Sequence, residues 1–148
     1  MVRLSWYIVL LYLHIFSVVA SIGPYFVLFP LLALIRKAPF EQLPDYLEPF
    51  RITVRLTKHA GHVLVATGII LTWITAWTWK TSWIIATVLI MVASLYFIAR
   101  AFSPLLRQLK APHEDRDFIV NKLRNALIWY VIITLSMMWF MVAKPSIW

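Results

Sequence analysis

The run of residues 6–35 contains no acidic or basic side chain except the imidazole of His14. A helix of about 20 apolar residues is enough to cross the hydrocarbon core of a bilayer, which is about 30 Å thick. At 1.5 Å per residue this run forms a helix of roughly 45 Å, so it can cross with a tilt or a kink. Gly23 and Pro24, near its middle, supply a cause for a kink. The stretch therefore predicts a membrane-spanning first helix.

Composition extends this prediction to the whole chain. The 148 residues are 62% hydrophobic and 14% charged, with a mean hydropathy of +0.81, whereas a soluble domain carries roughly 25% charged residues. Three further apolar runs follow, each near the length that crosses a bilayer. We expect one all-α membrane domain, residues 1–148, folded as a four-transmembrane-helix bundle with antiparallel neighbours. The predicted spans are 6–35, 60–79, 83–102 and 126–143, and the predicted cytoplasmic segments are 36–59 and 103–125.

Prolines and basic residues organise the segment between the first two spans. Pro39, Pro44 and Pro49 recur at five-residue intervals, which predicts a loop with short turns, because proline removes a backbone donor. Pro104 is expected to end the third span for the same reason. From residue 50 onward, basic and histidine side chains share one helical face. They are Arg51, Arg55, Lys58, His59 and His62. This pattern predicts an interfacial helix that leads into span two, with its two arginines and its lysine at anionic lipid head groups.

The distribution of charge predicts the orientation of the chain. Eleven of the fourteen lysines and arginines lie in or beside the two segments that follow spans one and three. Only Arg3, Lys80 and Lys144 belong to the opposite side. Because basic residues accumulate in cytoplasmic loops, both termini are expected outside the cytoplasmic membrane. The same distribution explains the net charge of +8 through membrane orientation and lipid head groups, without a nucleic-acid partner.

Several function classes lack their usual signals. The predicted spans contain no Asp, Glu or Lys, and Arg100 stands only at the inner end of span three. Such groups within spans mark the pathways of most ion-coupled transporters and proton pumps. The chain has no cysteine, which excludes disulfides and thiolate metal sites. It also has no metalloprotease motif, nucleotide-binding loop or paired nucleophile and base, so catalysis is not expected.

His14 is the leading candidate for a functional residue. It lies roughly 12 Å along its helix from Trp6, and it forms a polar stripe with Ser17 and Ser21 that is expected to face the bundle. One interpretation is a neutral histidine bonded to a hydroxyl or carbonyl on a neighbouring helix. The other is an axial ligand of haem or a ligand of copper, since an ionisable group within a span is a functional hypothesis by default.

Depth in the membrane selects the partners that His14 can have. Met91 lies roughly 12 Å along span three, level with His14, whereas His62 lies some 25 Å from the outer end of span two. An imidazole and a thioether together suit haem iron or copper(I). His59 and His62 are three residues apart and are candidates for a separate ligand site, or for anchoring at the inner membrane boundary.

The first span resembles that of a known group of proteins. The sequence Tyr12-Leu13-His14-Ile15-Phe16, followed by small residues, Gly23 and a run ending at Pro30, is similar to CopD-like membrane domains and, more distantly, to the haem-associated HemJ family. The resemblance implies copper handling or haem binding with His14 as the ligand. The chain has no lysine within a span of the kind expected of the HemJ type, so porphyrinogen oxidation is not carried over.

The sequence as a whole therefore predicts a small protein of the cytoplasmic membrane that binds haem b or copper through His14. The alternative is a non-catalytic accessory subunit of a membrane complex, such as a respiratory complex, in which the histidine serves only packing.

Overall fold

A computed structural model describes residues 2–75, 79–111 and 115–146, and the side chains of residues 2–4 are outside that description. The described part is helical throughout, apart from short connections. Its α-helices are α1 (Val2–Lys37), α2 (Leu43–Ile74), α3 (Ser82–Gln108) and α4 (Arg116–Ala143), and a single 3₁₀ turn, Phe40–Gln42, precedes α2. The expected all-α fold is confirmed.

The four helices form a ring of antiparallel neighbours. The end of α1 meets the start of α4, where Arg36 donates to the Asn121 side chain (2.5 Å) and pairs with Asp117 (3.3 Å). The start of α3 meets the residues after α4, where the Ser82 hydroxyl donates to the Pro145 carbonyl (3.2 Å). Helix α1 packs most extensively against α2, whereas α2 and α3 have the smallest contact of any neighbouring pair. The connection between α2 and α3 is short, so a closely packed hairpin of these two helices would be expected. Their contact is nevertheless the least extensive of the four helix–helix contacts in the ring.

The densest packing lies at the end of the bundle that holds the C-terminal half of α1 and the N-terminal half of α2. Its centre is an aromatic core, which we define as Tyr25, Phe50, Phe102 and Tyr130. These side chains are 0–3% exposed. The rings of Tyr25 and Tyr130 have centroids 4.3 Å apart, and those of Phe50 and Phe102 are 5.9 Å apart. Each of the four helices contributes one ring, so this core sets the register of the bundle.

The loop predicted across Pro39, Pro44 and Pro49 is present only as far as Gln42, where a short turn follows Pro39, and the prediction that Pro104 ends the third helix is wrong. Helix α2 begins at Leu43, with Pro44 in its first turn, where the missing N–H would have no helical partner anyway. It continues through Pro49, and α3 continues through Pro104 to Gln108. Burial explains the tolerance of Pro49, because Leu47 and Phe50 on either side of it are 1% and 0% exposed. The predicted helix that leads from the basic segment into the second apolar run is present.

Helix α4 begins with a side-chain cap. The carboxylate of Asp115 accepts hydrogen bonds from the backbone N–H groups of Asp117 (3.1 Å) and Phe118 (3.3 Å). Asp115 and Asp117 thus place two carboxylates at the N-terminal end of α4, where negative charge is favoured by the helix dipole. Pro112, His113 and Glu114 lie outside the described residues.

Removing this cap is expected to destabilise the N-terminal end of α4. Replacing Asp115 with alanine should lower the free energy of unfolding by about 0.5–2 kcal/mol, because two backbone donors lose their acceptor. Asp115→Asn keeps a capping oxygen and serves as the matched control. Unfolding in mixed micelles, followed by circular dichroism, measures the difference. Equal stability of the alanine variant and the wild type would contradict the assigned cap.

Three helices in the described part of the chain are long and apolar enough to cross a membrane. They are Ser5–Lys37, Ser82–Gln108 and Arg116–Ala143. Helix α2 is not among them, because its first half carries Arg51, Arg55 and Lys58 and its apolar half extends only to Ile74 in the described residues. The fold is therefore that of a helical, multi-pass membrane protein.

Candidate functional site

His14 faces the interior of the bundle, at the end opposite the aromatic core. It shares a seven-residue spacing with Ser21, Leu28 and Ile35, whose exposed fractions are 3%, 1% and 0%. His14 itself is half-buried, since it lies nearer the end of the bundle. Ser17 is also buried. The predicted orientation of the stripe His14, Ser17 and Ser21 toward the bundle is confirmed.

The imidazole of His14 is held by a hydroxyl on the neighbouring helix. Its Nδ1 atom lies 3.0 Å from Oγ1 of Thr67 on α2. The Thr67 hydroxyl itself donates back into α2, toward the carbonyls of Val63 (2.8 Å) and Leu64 (3.1 Å). A threonine hydroxyl has a single hydrogen. When that hydrogen is directed to one of these carbonyls, Oγ1 accepts from Nδ1–H of the neutral imidazole, and Nε2 carries the lone pair.

Gly68 gives the imidazole its position against α2. A Cβ atom at Gly68 would stand 3.2 Å from Cε1 of His14, closer than side chains normally pack. The absence of a side chain there lets the ring approach the backbone of α2 closely, beside Thr67. Small residues at a helix contact serve this purpose in membrane proteins. Thr67 and Gly68 together fix the plane and the hydrogen bonding of the ring.

Small hydroxyl side chains are buried in all four helices, in contrast to the aromatic core. Six of them are Ser17, Ser21, Thr67, Thr87, Ser94 and Thr134. Each donates to a carbonyl of its own helix, as Ser17 does to Leu13 (2.7 Å) and Thr134 to Tyr130 (2.9 Å). We call this set the hydroxyl band. Through this set, each of the four helices has at least one buried side chain that is polar but uncharged.

Two methionines lie on the interior stripes of α3 and α4. Met91 has a seven-residue spacing with Ile84 and Ile98, both 5% exposed, and is half-buried itself. The contact between Gly61 and Leu95 sets the register of α2 against α3, and it places Met91 within about one helical turn of the level of His14. On α4, Met137 is 2% exposed. The predicted depth of Met91 agrees with this register, while coordination by its sulfur stays a prediction.

The other two candidate histidines lie elsewhere. His59 and His62 are both exposed, and their ring centroids are 6.4 Å apart in an edge-on arrangement. They occupy the side of α2 that faces away from the buried Leu64 and Thr67. His62 also stands five residues before Thr67, roughly 7.5 Å along the helix. The structure does not bring these rings together with His14, so a ligand role for them remains a prediction about a separate, outward-facing site.

Carboxylates and further histidines do not complete a metal site around His14. Among the described residues, no group of three or more His, Asp or Glu side chains is arranged to hold a metal ion. Beside the imidazole of His14, the buried or half-buried side-chain donors of the described interior include hydroxyl oxygens and the thioether sulfurs of Met91 and Met137.

Sequence reasoning missed two parts of this site. Thr67 carries no signal of its own, because threonine is common in membrane helices and its partner is 53 residues away. Gly61 and Gly68 are seven residues apart in α2, a spacing of small residues that indicates close helix contact. This spacing does not reveal that the group in contact with Gly68 is a histidine ring.

Comparison with known proteins finds no relative. The chain matches no protein-family model, no curated protein and no solved structure. The resemblance of the first span to CopD-like and HemJ-like proteins therefore remains a prediction.

Proposed function

We propose that this protein spans the cytoplasmic membrane four times, with both termini outside. In this proposal α2 crosses the membrane in addition to the three helices that are long and apolar enough by themselves. It packs antiparallel beside α1, and its apolar half lies level with the outer half of α1. The excess of basic residues at the opposite end of the bundle supports the orientation.

Within this bundle, we propose that His14 binds haem b or a copper ion through Nε2. The observation that carries the proposal is the hydrogen bond from Nδ1 to Thr67. Histidines that ligate metals almost always donate their second nitrogen to a fixed acceptor, which sets the tautomer and orients the ring. The contact of His14 with Thr67 fits that arrangement when Nδ1 carries the proton, which leaves the lone pair on Nε2, the nitrogen that is not bonded to Thr67.

The donor set favours soft or porphyrin-bound metals. Thioether sulfur and imidazole select copper(I), and they are also the axial ligands of haem iron in one class of cytochrome. Met91 and Met137, on the interior stripes of α3 and α4, are the candidate second ligands. A bound haem or copper would supply one-electron redox chemistry or metal transfer, and the chain's own part is to hold and orient it.

A second candidate function is that of a non-catalytic accessory subunit of a membrane complex. The contact of His14 with α2 favours this function when its role is only to pack the two helices together. Thr67 then satisfies one nitrogen of His14, and Gly68 leaves room for its ring. In that case the protein binds no cofactor, and other membrane subunits are its partners.

Lipids are partners under either function. Arg55 and Lys58 are exposed on α2, while Arg51 is half-buried and lies 3.7 Å from Glu48. These three residues are proposed to bind anionic lipid head groups at the inner boundary. A lysine or arginine near such a surface contributes about 1 kcal/mol.

Spectroscopy and elemental analysis test the cofactor. The wild-type protein, purified in detergent and then offered haem or copper(I), is expected to show a Soret band or to retain copper. His14→Ala should lose that group, because its only imidazole ligand is gone. His14→Gln preserves a polar partner for Thr67 and separates loss of the ligand from loss of the helix contact.

His62→Gln compares the His14 site with the separate candidate pair His59 and His62, since it changes a histidine on the outer face of α2. If His14 is the ligand, this variant is expected to retain the group that His14→Ala loses. A wild-type protein that holds neither haem nor copper would overturn the cofactor proposal in favour of the accessory subunit. Retention of the group by both His14 variants would overturn the choice of ligand.

A further inference from the structure

The contact between α1 and α2 gives the depth of Lys58 in the bundle. His14 lies against Thr67, and Lys58 comes nine residues before Thr67 on the antiparallel helix, so it is level with residue 23 of α1. That level is 17 residues from Trp6, or roughly 26 Å along α1. Since the hydrocarbon core is about 30 Å thick, Lys58 stands near its inner edge, where lipid phosphates begin.

Arg100 on α3 lies at the same depth as Lys58. The contact of Gly61 with Leu95 sets Arg100 within about two residues of the level of Lys58. Both cations are exposed, and neither has a carboxylate partner among the described residues. The guanidinium of Arg100 lies 5.5 Å from the centroid of the Tyr96 ring, one turn toward the outer end. The two cations therefore stand on adjacent helices without a counter-charge from the described chain.

The opposite side of the bundle is apolar at this depth. Phe26 and Val27 on α1, together with Trp129 and Ile132 on α4, are exposed and flank the ring contact between these two helices. The next basic residue of α1 is Arg36, 13 residues beyond residue 23 and roughly 20 Å nearer the inner end. Positive charge at the inner edge of the hydrocarbon core is thus concentrated on the side formed by α2 and α3.

The seam between α2 and α3 continues outward from these cations as apolar surface. It is the least extensive helix contact of the ring, and the exposed side chains along it include Val92 and Leu89 on α3 and Ile69 on α2. Because the two helices touch at Gly61 and Leu95, the seam is a shallow groove. Such a groove suits a single acyl chain, whereas a further helix is about 10 Å across. Charge followed by an apolar groove matches an anionic amphiphile.

We propose that an anionic phospholipid of the inner leaflet binds at the seam of α2 and α3. Its phosphate lies between Lys58 and Arg100, and one acyl chain runs outward along Val92 and Leu89. Lysine and arginine both donate charge-assisted hydrogen bonds to phosphate oxygens, and basic pockets between membrane helices bind anionic head groups. This inference deepens the proposed lipid binding by adding Arg100 and a groove. It rests on the proposed four-span arrangement and is independent of the cofactor.

Native mass spectrometry of the detergent-purified protein, with phosphatidylglycerol or phosphatidylcholine added, tests the site. The wild type is expected to bind phosphatidylglycerol more tightly than phosphatidylcholine. The double variant Lys58→Gln/Arg100→Gln should weaken binding of phosphatidylglycerol roughly 20- to 30-fold, because each basic residue near a lipid surface contributes about fivefold. Lys58→Arg/Arg100→Lys keeps both charges and should bind within a few-fold of the wild type.

Lys122→Gln/Arg124→Gln is the matched control, because it removes two exposed cations from α4 with the same change in net charge. It should bind phosphatidylglycerol like the wild type. Equal weakening by the two glutamine pairs would overturn the site, since binding would then follow net charge alone. Equal affinity of the wild type for the two lipids would also overturn it.

A labelling experiment separates this site from the four-span arrangement. The chain has no cysteine, and Ala66 is exposed on α2, eight residues outward from Lys58. In membranes, Ala66→Cys is expected to resist a membrane-impermeant maleimide until detergent is added. Ready labelling would overturn α2 as a span, and the lipid site with it. A protected cysteine together with no preference for phosphatidylglycerol would overturn the lipid site alone.

Discussion

Replacing Phe102 with alanine is expected to lower the free energy of unfolding by about 2–4 kcal/mol, the largest stability effect of any single substitution considered. Phe102 is 0% exposed and contacts four other rings. Its centroid lies 6.0 Å from that of Tyr25, 5.9 Å from Phe50, and 6.4 Å from both Phe97 and Tyr130. Truncation opens a cavity among these rings and removes edge-on aromatic contacts.

The membrane changes the origin of this cost. Lipid tails are as apolar as the core, so transfer of the ring out of the core costs less than it would in water. What remains is the loss of close packing around a cavity that the neighbouring helices cannot fill. Unfolding in detergent with increasing dodecyl sulfate, followed by tryptophan fluorescence, measures the change.

Leu89→Ala on the same helix is the control for Phe102→Ala. Leu89 is 65% exposed and faces lipid in the proposed orientation. Its truncation should change the free energy of unfolding by less than about 0.5 kcal/mol. Equal effects of the two substitutions would show that the aromatic core does not hold the bundle together.

Thr67→Val is expected to weaken binding of copper(I) or haem by about 10–100-fold, the range typical for loss of the group that orients a ligating histidine. Valine has nearly the shape of threonine but no oxygen to accept the proton on Nδ1. The ring of His14 then loses its fixed tautomer and its fixed plane. The Kd for copper(I), measured by competition with a chromophoric chelator, reports the change.

Two matched variants separate this effect from a general disturbance of α2. Thr67→Ser keeps the acceptor and should bind within a few-fold of the wild type. Thr72→Val removes a hydroxyl that donates to the Gly68 carbonyl (2.9 Å), and it should bind normally. If Thr67→Val binds as tightly as the wild type while His14→Ala does not bind, the tautomer argument is wrong although His14 remains the ligand.

The helices were predictable because their signal is local. Residues 6–35 exceed the length that crosses a bilayer and the later apolar runs are near it. Only a helix or a closed barrel satisfies the backbone within lipid. The ends of the helices were less predictable. Pro49 and Pro104 break a helix by local rules, yet both lie within helices here. The reason is non-local: buried neighbours such as Phe50 and Phe102 stabilise the helix on either side of each proline.

The candidate site, too, could be predicted only in part from the sequence. His14 stands out in the sequence because it is the only ionisable group well inside an apolar run, and periodicity places it on the face shared with Ser17 and Ser21. Its partner does not stand out, since nothing near Thr67 distinguishes it from the other threonines of α2.

Composition and periodicity by themselves determined that this protein is helical, that it belongs in a membrane, and that His14 faces inward. These properties follow from the hydrophobicity and spacing of residues along one helix. Only the tertiary structure decided that α1 packs closely on α2, that the imidazole of His14 lies against Thr67 and Gly68, and that one ring from each helix meets in the aromatic core. Such contacts depend on the register between helices, which is set by the aromatic core at the far end of the bundle and has no signature within any single segment.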